Sequence, residues 1–264
     1  NDASRVHQGI DLFPLKRDAR GEPADPVFAV YPGTVVYVSN RPAYSTLGRY
    51  IIIEHKVDGL TFNSLYAHLA KIETSVGSSI TAGQRIALMG RSASDGIPTD
   101  RAHLHLEFSL RLADDFQTWF RRQKFGSPNY HGNFNGFNFS RWDPLDFYRA
   151  NVKDISTSPA AYLRQQPTSL TAIVRTHTIP SFIRRNPALL SAPIPAEGVQ
   201  GWQIEFTTYG LPKLWTPLTT SPRTKLLLTA GPAQGQPCLP LYASKHRPGR
   251  TLKSTLELLF GTRF

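Results

Sequence analysis

The stretch RAHLHLEF (101–108) sets two imidazoles, His103 and His105, in a run built like a buried strand. In an extended chain successive side chains point to opposite faces. His103, His105 and Glu107 therefore share one face, and Leu104, Leu106 and Phe108 share the other. One face belongs to a core and the other is polar. Neutral imidazole is the commonest metal ligand, but a histidine pair on a polar strand face is also commonly a solvated or hydrogen-bonded pair. These eight residues leave both readings open.

Upstream of this strand the chain reads as short strands between turns. VFAVYPGTVVYVS (27–39) is β-branched and aromatic around a Pro32-Gly33 turn, and YIIIEH (50–55) is a second strand candidate. Asp58-Gly59 separates it from LTFNSLYAHL (60–69), the composition of a tight hairpin. GSSITAGQRIALMG (77–90) adds glycine-bounded apolar segments. One helix is predicted over 112–125, where Leu112, Phe116, Trp119 and Phe120 recur at helical spacing and Asp114 and Asp115 occupy the first turn. The segment 126–144, rich in Gly, Asn and aromatics and containing His131, reads as a loop.

The texture changes near residue 151. GWQIEFTTYG (201–210), TKLLLTAG (224–231) and STLELLFGTRF (254–264) read as strands, and SPAAYLRQQ (158–166) as a short helix. The fold class expected is therefore mainly β, with two modules, 1–150 and 151–264, the second basic, proline-rich and β-rich. At 264 residues the chain can bury a sizeable core, and 40% hydrophobic residues set it apart from disordered chains. No run of 18 apolar residues is present, so a transmembrane segment is not expected.

The net charge of +11 is unevenly placed: residues 1–150 hold 17 Lys+Arg against 15 Asp+Glu (+2), and residues 151–264 hold 13 against 4 (+9). Such asymmetry points either to attraction toward a polyanion or to a soluble basic face without a dedicated partner. The single cysteine, Cys238, excludes an intramolecular disulfide and reads as a small buried hydrophobe. The chain begins at Asn1 rather than Met, which reads as a processed or trimmed form with any signal peptide removed from view.

Three pieces stand beside the histidine strand. RVHQGIDLFP (5–14) places His7 and Asp11 four residues apart, and Gly9 and Pro14 argue against a helix there. YAHL (66–69) offers His68 next to Tyr66. HLHLE (103–107) supplies the histidine pair, and WDPLDFY (142–148) closes the half. In this order and spacing, residues 5–148 resemble a lysostaphin/LytM-type zinc endopeptidase domain, whose pattern runs His-x-Gly-x-Asp, Tyr-x-His, His-x-His with a following Glu, and Asn/Asp-Pro-Leu.

That resemblance implies an antiparallel β-sheet metallopeptidase domain with an open groove and one Zn2+ per chain. It makes His7, Asp11 and His105 the metal ligands and His68 and His103 the catalytic pair. The chemistry of these residue types agrees: zinc takes imidazole nitrogen and carboxylate oxygen, a catalytic site keeps three protein ligands and an open position, and imidazoles exchange protons near neutral pH. His55 reads as structural. Glu107 reads either as an outer-sphere orienter or as half of a plain salt bridge, and Asn138-Phe139-Ser140 as a chance glycosylation sequon.

HExxH, CxxC, GxSxG and a glycine-rich phosphate loop are all lacking, which excludes the corresponding zinc-helix, zinc-ribbon, serine-hydrolase and nucleotide sites. The chain departs from the family pattern in a long, charged approach to the histidine pair (91–102) and in an insertion of about thirty residues between Glu107 and the Asp-Pro-Leu close. The implied function is hydrolysis of peptide cross-links in bacterial peptidoglycan, after export to the periplasm, envelope or exterior. The alternative is a non-catalytic peptidoglycan-binding or hydrolase-regulating protein on the same scaffold. The partner expected is wall peptide, with an anionic wall polymer against 151–264; nucleic acid is not expected.

Overall fold

The computed structural model describes residues 9–231, 242–244 and 247–264. His7 and Cys238 lie outside them. The first ten strands are β1 Ile10–Leu12, β2 Pro26–Phe28, β3 Gly33–Ser39, β4 Tyr50–Val57, β5 Leu60–Ala67, β6 Lys71–Ile72, β7 Ser79–Ile80, β8 Arg85–Leu88, β9 Leu104–Arg111 and β10 Phe139–Trp142. They form a seven-stranded sheet in the order β1-β9-β5-β4-β3-β7, with β10 also paired to β9, and a three-stranded sheet β2-β8-β6. The fold is mainly β, and every pairing of these strands is antiparallel.

The hairpin β4–β5 turns at Asp58 (φ 47°) and Gly59 (φ 78°), with Val57 paired to Leu60. Two positive φ values in a two-residue connection match the right-handed twist of the strands, the physical reason for an Asp-Gly pair there. Alternation then divides the sheet. Leu104, Leu106, Phe108 and Leu110 of β9 join Ile51, Ile53, Phe62 and Tyr66 in the main core. On the opposite face Tyr50, Ile52, Leu65, Ala67 and Phe139 make a second, smaller apolar cluster. His105 and Glu107 share that second face.

The helix expected over 112–125 is α1, Phe116–Gln123, shorter by one turn at its start because the Asp115 side chain caps it by accepting from the Thr118 amide. The Asp-Pro-Leu close opens a further helix, α2 (Pro144–Lys153); Asp143 accepts from the Leu145 and Asp146 amides and Pro144 supplies the preset φ of the first turn.

In the remainder, α3 (Pro159–Gln165), β11 (Leu170–Arg175), α4 (Ser181–Arg185), β12 (Gly201–Phe206), β13 (Pro212–Leu218), β14 (Leu226–Ala230), β15 (Tyr242–Ser244), β16 (Arg247–Pro248) and α5 (Arg250–Phe260) follow in order. A four-stranded antiparallel sheet β13-β12-β11-β14 carries them around Trp202, Trp215, Phe182 and Phe206, all fully buried. The strand expected at 254–264 is instead helix α5. Leu252, Leu256 and Leu259 recur at i, i+4 and i+7, and Gly261 ends the helix in the left-handed conformation (φ 69°). A run as apolar as LELLF fits either element locally; its burial decides for helix.

The main core continues without a break from Val27 to Phe260. Polar contacts also join the two halves. Asn186 Oδ1 accepts from the Thr61 amide at 2.9 Å, the Ala188 amide donates to the Gly59 carbonyl at 3.1 Å, and Trp119 Nε1 donates to Glu257 at 3.2 Å.

Candidate metallopeptidase site

Edge strand β1 pairs with β9 so that Asp11 lies opposite His105. The approach to that pairing depends on Gly9: a Cβ there would sit 2.3 Å from the Leu106 carbonyl oxygen and 3.1 Å from His105 Cε1. The glycine of His-x-Gly-x-Asp is thus a requirement of backbone contact beside the histidine strand. Asp11 Oδ1 lies 2.9 Å from His105 Nδ1 and 3.4 Å from His103 Nε2.

His105 is nearly buried, and its other nitrogen, Nε2, is 3.1 Å from Glu107 Oε1. Burial by itself would lower the His105 pKa, but hydrogen bonds and charge from Glu107 and then Asp11 outweigh it and raise the value above that of an ordinary histidine. For Glu107, burial pushes the carboxyl up, and the Arg141 charge together with His105 brings it below the usual range.

His68 follows β5 in a left-handed backbone conformation (φ 62°), unusual for a residue with a side chain. Its amide donates to the Leu47 carbonyl, and its Nδ1 lies 2.9 Å from the Ser92 carbonyl. A carbonyl only accepts, so Nδ1 carries the proton of the neutral ring and Nε2 keeps its lone pair. Burial depresses this imidazole to about 4, against the opposing pull of the Ser92 carbonyl. His103 is tied in the same manner, Nδ1 to the Arg101 carbonyl at 2.7 Å. The rings of His68 and His103 meet edge-on with centroids 4.7 Å apart, and His68 lies 5.9 Å from His105 by the same measure.

Both carbonyls belong to segment 91–102, the stretch that departs from the family pattern. Arg91 holds it in place with a forked pair of bonds to Glu22 at 2.8 and 2.7 Å and a third to the Ile97 carbonyl at 2.9 Å. Gly48 presses on it from below, where a Cβ would meet the Ser92 carbonyl oxygen at 2.0 Å. The tautomers of both histidines are thereby set by backbone, which no side-chain pattern in the sequence announces.

The insertion between Glu107 and α2 packs on the sheet face that carries the site. His131 Nε2 donates to the Tyr44 carbonyl, and its Nδ1 is 2.9 Å from the hydroxyls of both Tyr37 and Tyr50. Phe134 lies against Tyr37 and Tyr130 stacks on Tyr44 at 4.4 Å. His131 therefore clamps the insertion. His55, expected to be structural, is fully buried between the Pro32 carbonyl and Ser64 Oγ, and burial lowers it to about 4.

Of the five residues singled out in the sequence, Asp11, His68, His103 and His105 come together. His7 lies outside the described residues. Among the described residues no group of three or more His, Cys, Asp or Glu forms a metal cage. The donors brought together, a carboxylate and an imidazole nitrogen 2.9 Å apart, are nonetheless of the kind zinc binds. Glu107 and Arg141 complete the neighbourhood; the strand alternation signalled the first, and nothing local signalled the second.

A family model described as Peptidase family M23 matches residues 5–115. Lipoprotein NlpD of Yersinia enterocolitica is 35% identical over 91 residues, which cover 34% of this chain and 86% of that one. Peptidoglycan DD-endopeptidase ShyA of Vibrio cholerae is 37% identical over 86 residues, 33% of this chain and 18% of ShyA. The chain spans only 18% to 30% of the length of four curated relatives, ShyA among them. Among solved structures, the catalytic domain of the antimicrobial peptidase lysostaphin from Staphylococcus simulans is 23% identical, with 55% of this chain and 80% of that chain covered and a TM-score of 0.34.

The antiparallel sheet and the sequence likenesses place the chain in the lysostaphin/LytM-type peptidase family. The chain belongs to peptidase family M23.

Proposed function

We propose that the chain is a zinc-dependent endopeptidase that hydrolyses peptide cross-links of bacterial peptidoglycan. The observation that carries this reading is the convergence of Asp11, His68, His103 and His105 from three separate stretches of chain. Asp11 and His105, with His7, would hold the ion. Zinc, when bound, supplies Lewis-acid charge that activates water and polarises the scissile carbonyl.

The remaining chemistry falls to the chain. His68 stays neutral because it is buried, and its Nδ1 is committed to Ser92, so Nε2 accepts a proton from the attacking water and returns it to the leaving amine. His103, anchored through Nδ1 at Arg101, turns Nε2 toward the same space, and in its doubly protonated form donates that N–H to the oxyanion that develops on the carbonyl. The clamped insertion and segment 91–102 border the cleft and select the peptide.

An envelope location is supported by the relatives named lipoprotein and by the peptidoglycan endopeptidase ShyA. The charge balance of residues 151–264 supports a contact with an anionic wall polymer, and binding to walls that weakens with salt would bear this out. The test of the reading is digestion of purified peptidoglycan by the zinc-loaded chain. Soluble muropeptides released by the parent, and none after chelation or by His68→Ala, are expected; equal release by His68→Ala rejects the assigned chemistry. Binding to peptidoglycan without release would indicate the non-catalytic alternative.

A further inference from the structure

Arg141 reaches the site from outside the histidine motifs. It sits on β10, after the insertion, and pairs with Ser109 of β9. Its Nε donates to Glu107 Oε2 at 2.6 Å, and one terminal nitrogen donates to the Gly136 carbonyl at 3.1 Å and to the Phe139 carbonyl at 3.4 Å. The second carboxylate oxygen of Glu107 is the one 3.1 Å from His105 Nε2. Side-chain exposures of 12% for Arg141, 3% for Glu107 and 9% for His105 place the whole chain of contacts away from bulk water.

A buried carboxylate needs compensation on both oxygens. Here a guanidinium faces one and an imidazole N–H faces the other. Carboxylates face both ring nitrogens and each only accepts, so Glu107 orients the ring and keeps a hydrogen on Nε2 when Nδ1, directed at Asp11, gives up its own to an ion. Gly136 helps to seat the guanidinium: a Cβ at that position would lie 3.3 Å from the second terminal nitrogen of Arg141.

We propose that Arg141 is a positioning residue of the metal centre: it holds Glu107, and Glu107 orients His105 so that Nδ1 and Asp11 meet the ion together. This rests on the zinc-peptidase reading of the site. It also gives the insertion a second role, since the backbone that carries Gly136 and Phe139 is what anchors the guanidinium.

The test is a zinc competition titration against a chromophoric chelator on the full chain, with thermal melting of each variant. Arg141→Gln is expected to weaken zinc binding about 10–100-fold, the usual cost of losing an outer-sphere partner, and Arg141→Lys to recover most of it. Glu107→Gln keeps the shape and tests the same link without removing the arginine. Its amide oxygen turns to Arg141 and its NH2 to His105 Nε2, which drives the hydrogen onto Nδ1 and weakens zinc comparably. Zinc bound by Arg141→Gln and Glu107→Gln within twofold of the parent, while His105→Ala loses it, overturns the role of Arg141 and leaves the zinc site standing. Zinc bound as tightly by His105→Ala as by the parent overturns the site itself.

Discussion

His68 and His103 face each other edge-on, ring centroids 4.7 Å apart, and each is tied through Nδ1 to a carbonyl of the same segment, that of Ser92 or Arg101. Two histidines presenting their Nε2 atoms to one space, with tautomers fixed by backbone, suit proton transfer. Asp11 and His105 beside them suit metal ligation. His68→Ala is therefore expected to lower kcat by about 100-fold or more while zinc binding stays within a few-fold of the parent. His105→Ala is expected to remove both. Loss of zinc from His68→Ala at the level of His105→Ala would contradict this division, and metal analysis beside initial rates decides it.

The acid limb of activity should follow zinc loading. His105 is raised above an ordinary histidine, so as pH falls a proton competes with the ion for its ring early in the titration, whereas His68, depressed to about 4, remains a base. At pH 5.5 the rate is expected to fall at limiting zinc and to recover as zinc is raised. A rate that stays low at saturating zinc would place His68 near its ordinary value.

His55 makes folding stability depend on pH. Its folded value of about 4 lies below the 6.5 of a free histidine, so between those limits the unfolded chain binds the extra proton. The stabilisation is complete above about pH 6.5 and is lost as pH falls toward 4, a loss of up to about 3 kcal/mol. Urea unfolding at pH 7 and pH 4.5 measures it. The His55→Gln variant, which cannot titrate, should show a shallower fall, and an unchanged slope would assign the effect elsewhere.

Asn186 joins the two halves of the chain. It is fully buried, accepts from the Thr61 amide at 2.9 Å and donates to the Phe182 carbonyl at 2.8 Å. Asn186→Ala strands the part-buried Thr61 amide, while the Phe182 carbonyl keeps the backbone amide of residue 186, and is expected to cost about 1–3 kcal/mol of unfolding free energy. A urea midpoint equal to the parent's would show that water replaces the side chain.

Much of the site was legible because its chemistry is written in residue types at strand spacing. The alternation of HLHLE placed His105 and Glu107 on one face, the Asp58-Gly59 hairpin set His68 at the end of β5, and Gly9 with Pro14 argued against a helix where β1 forms. What was not legible depends on contacts distant in sequence. Arg141 meets Glu107 only after the insertion folds back, and Ser92 and Arg101 act through carbonyls that every residue possesses. The 254–264 segment reads as a strand because Leu256-Glu257-Leu258 alternates with a period of two; the helix is set by what Leu252, Leu256 and Leu259 pack against.

The most direct test of the account is mass spectrometry of purified peptidoglycan digested by the zinc-loaded chain. The account predicts cross-linked muropeptides converted to uncrosslinked ones, each cut adding one water across a peptide bond and leaving the glycan strands intact. Cross-linked muropeptides unchanged after prolonged digestion with a chain shown to hold zinc, or cuts confined to glycosidic bonds, would contradict it.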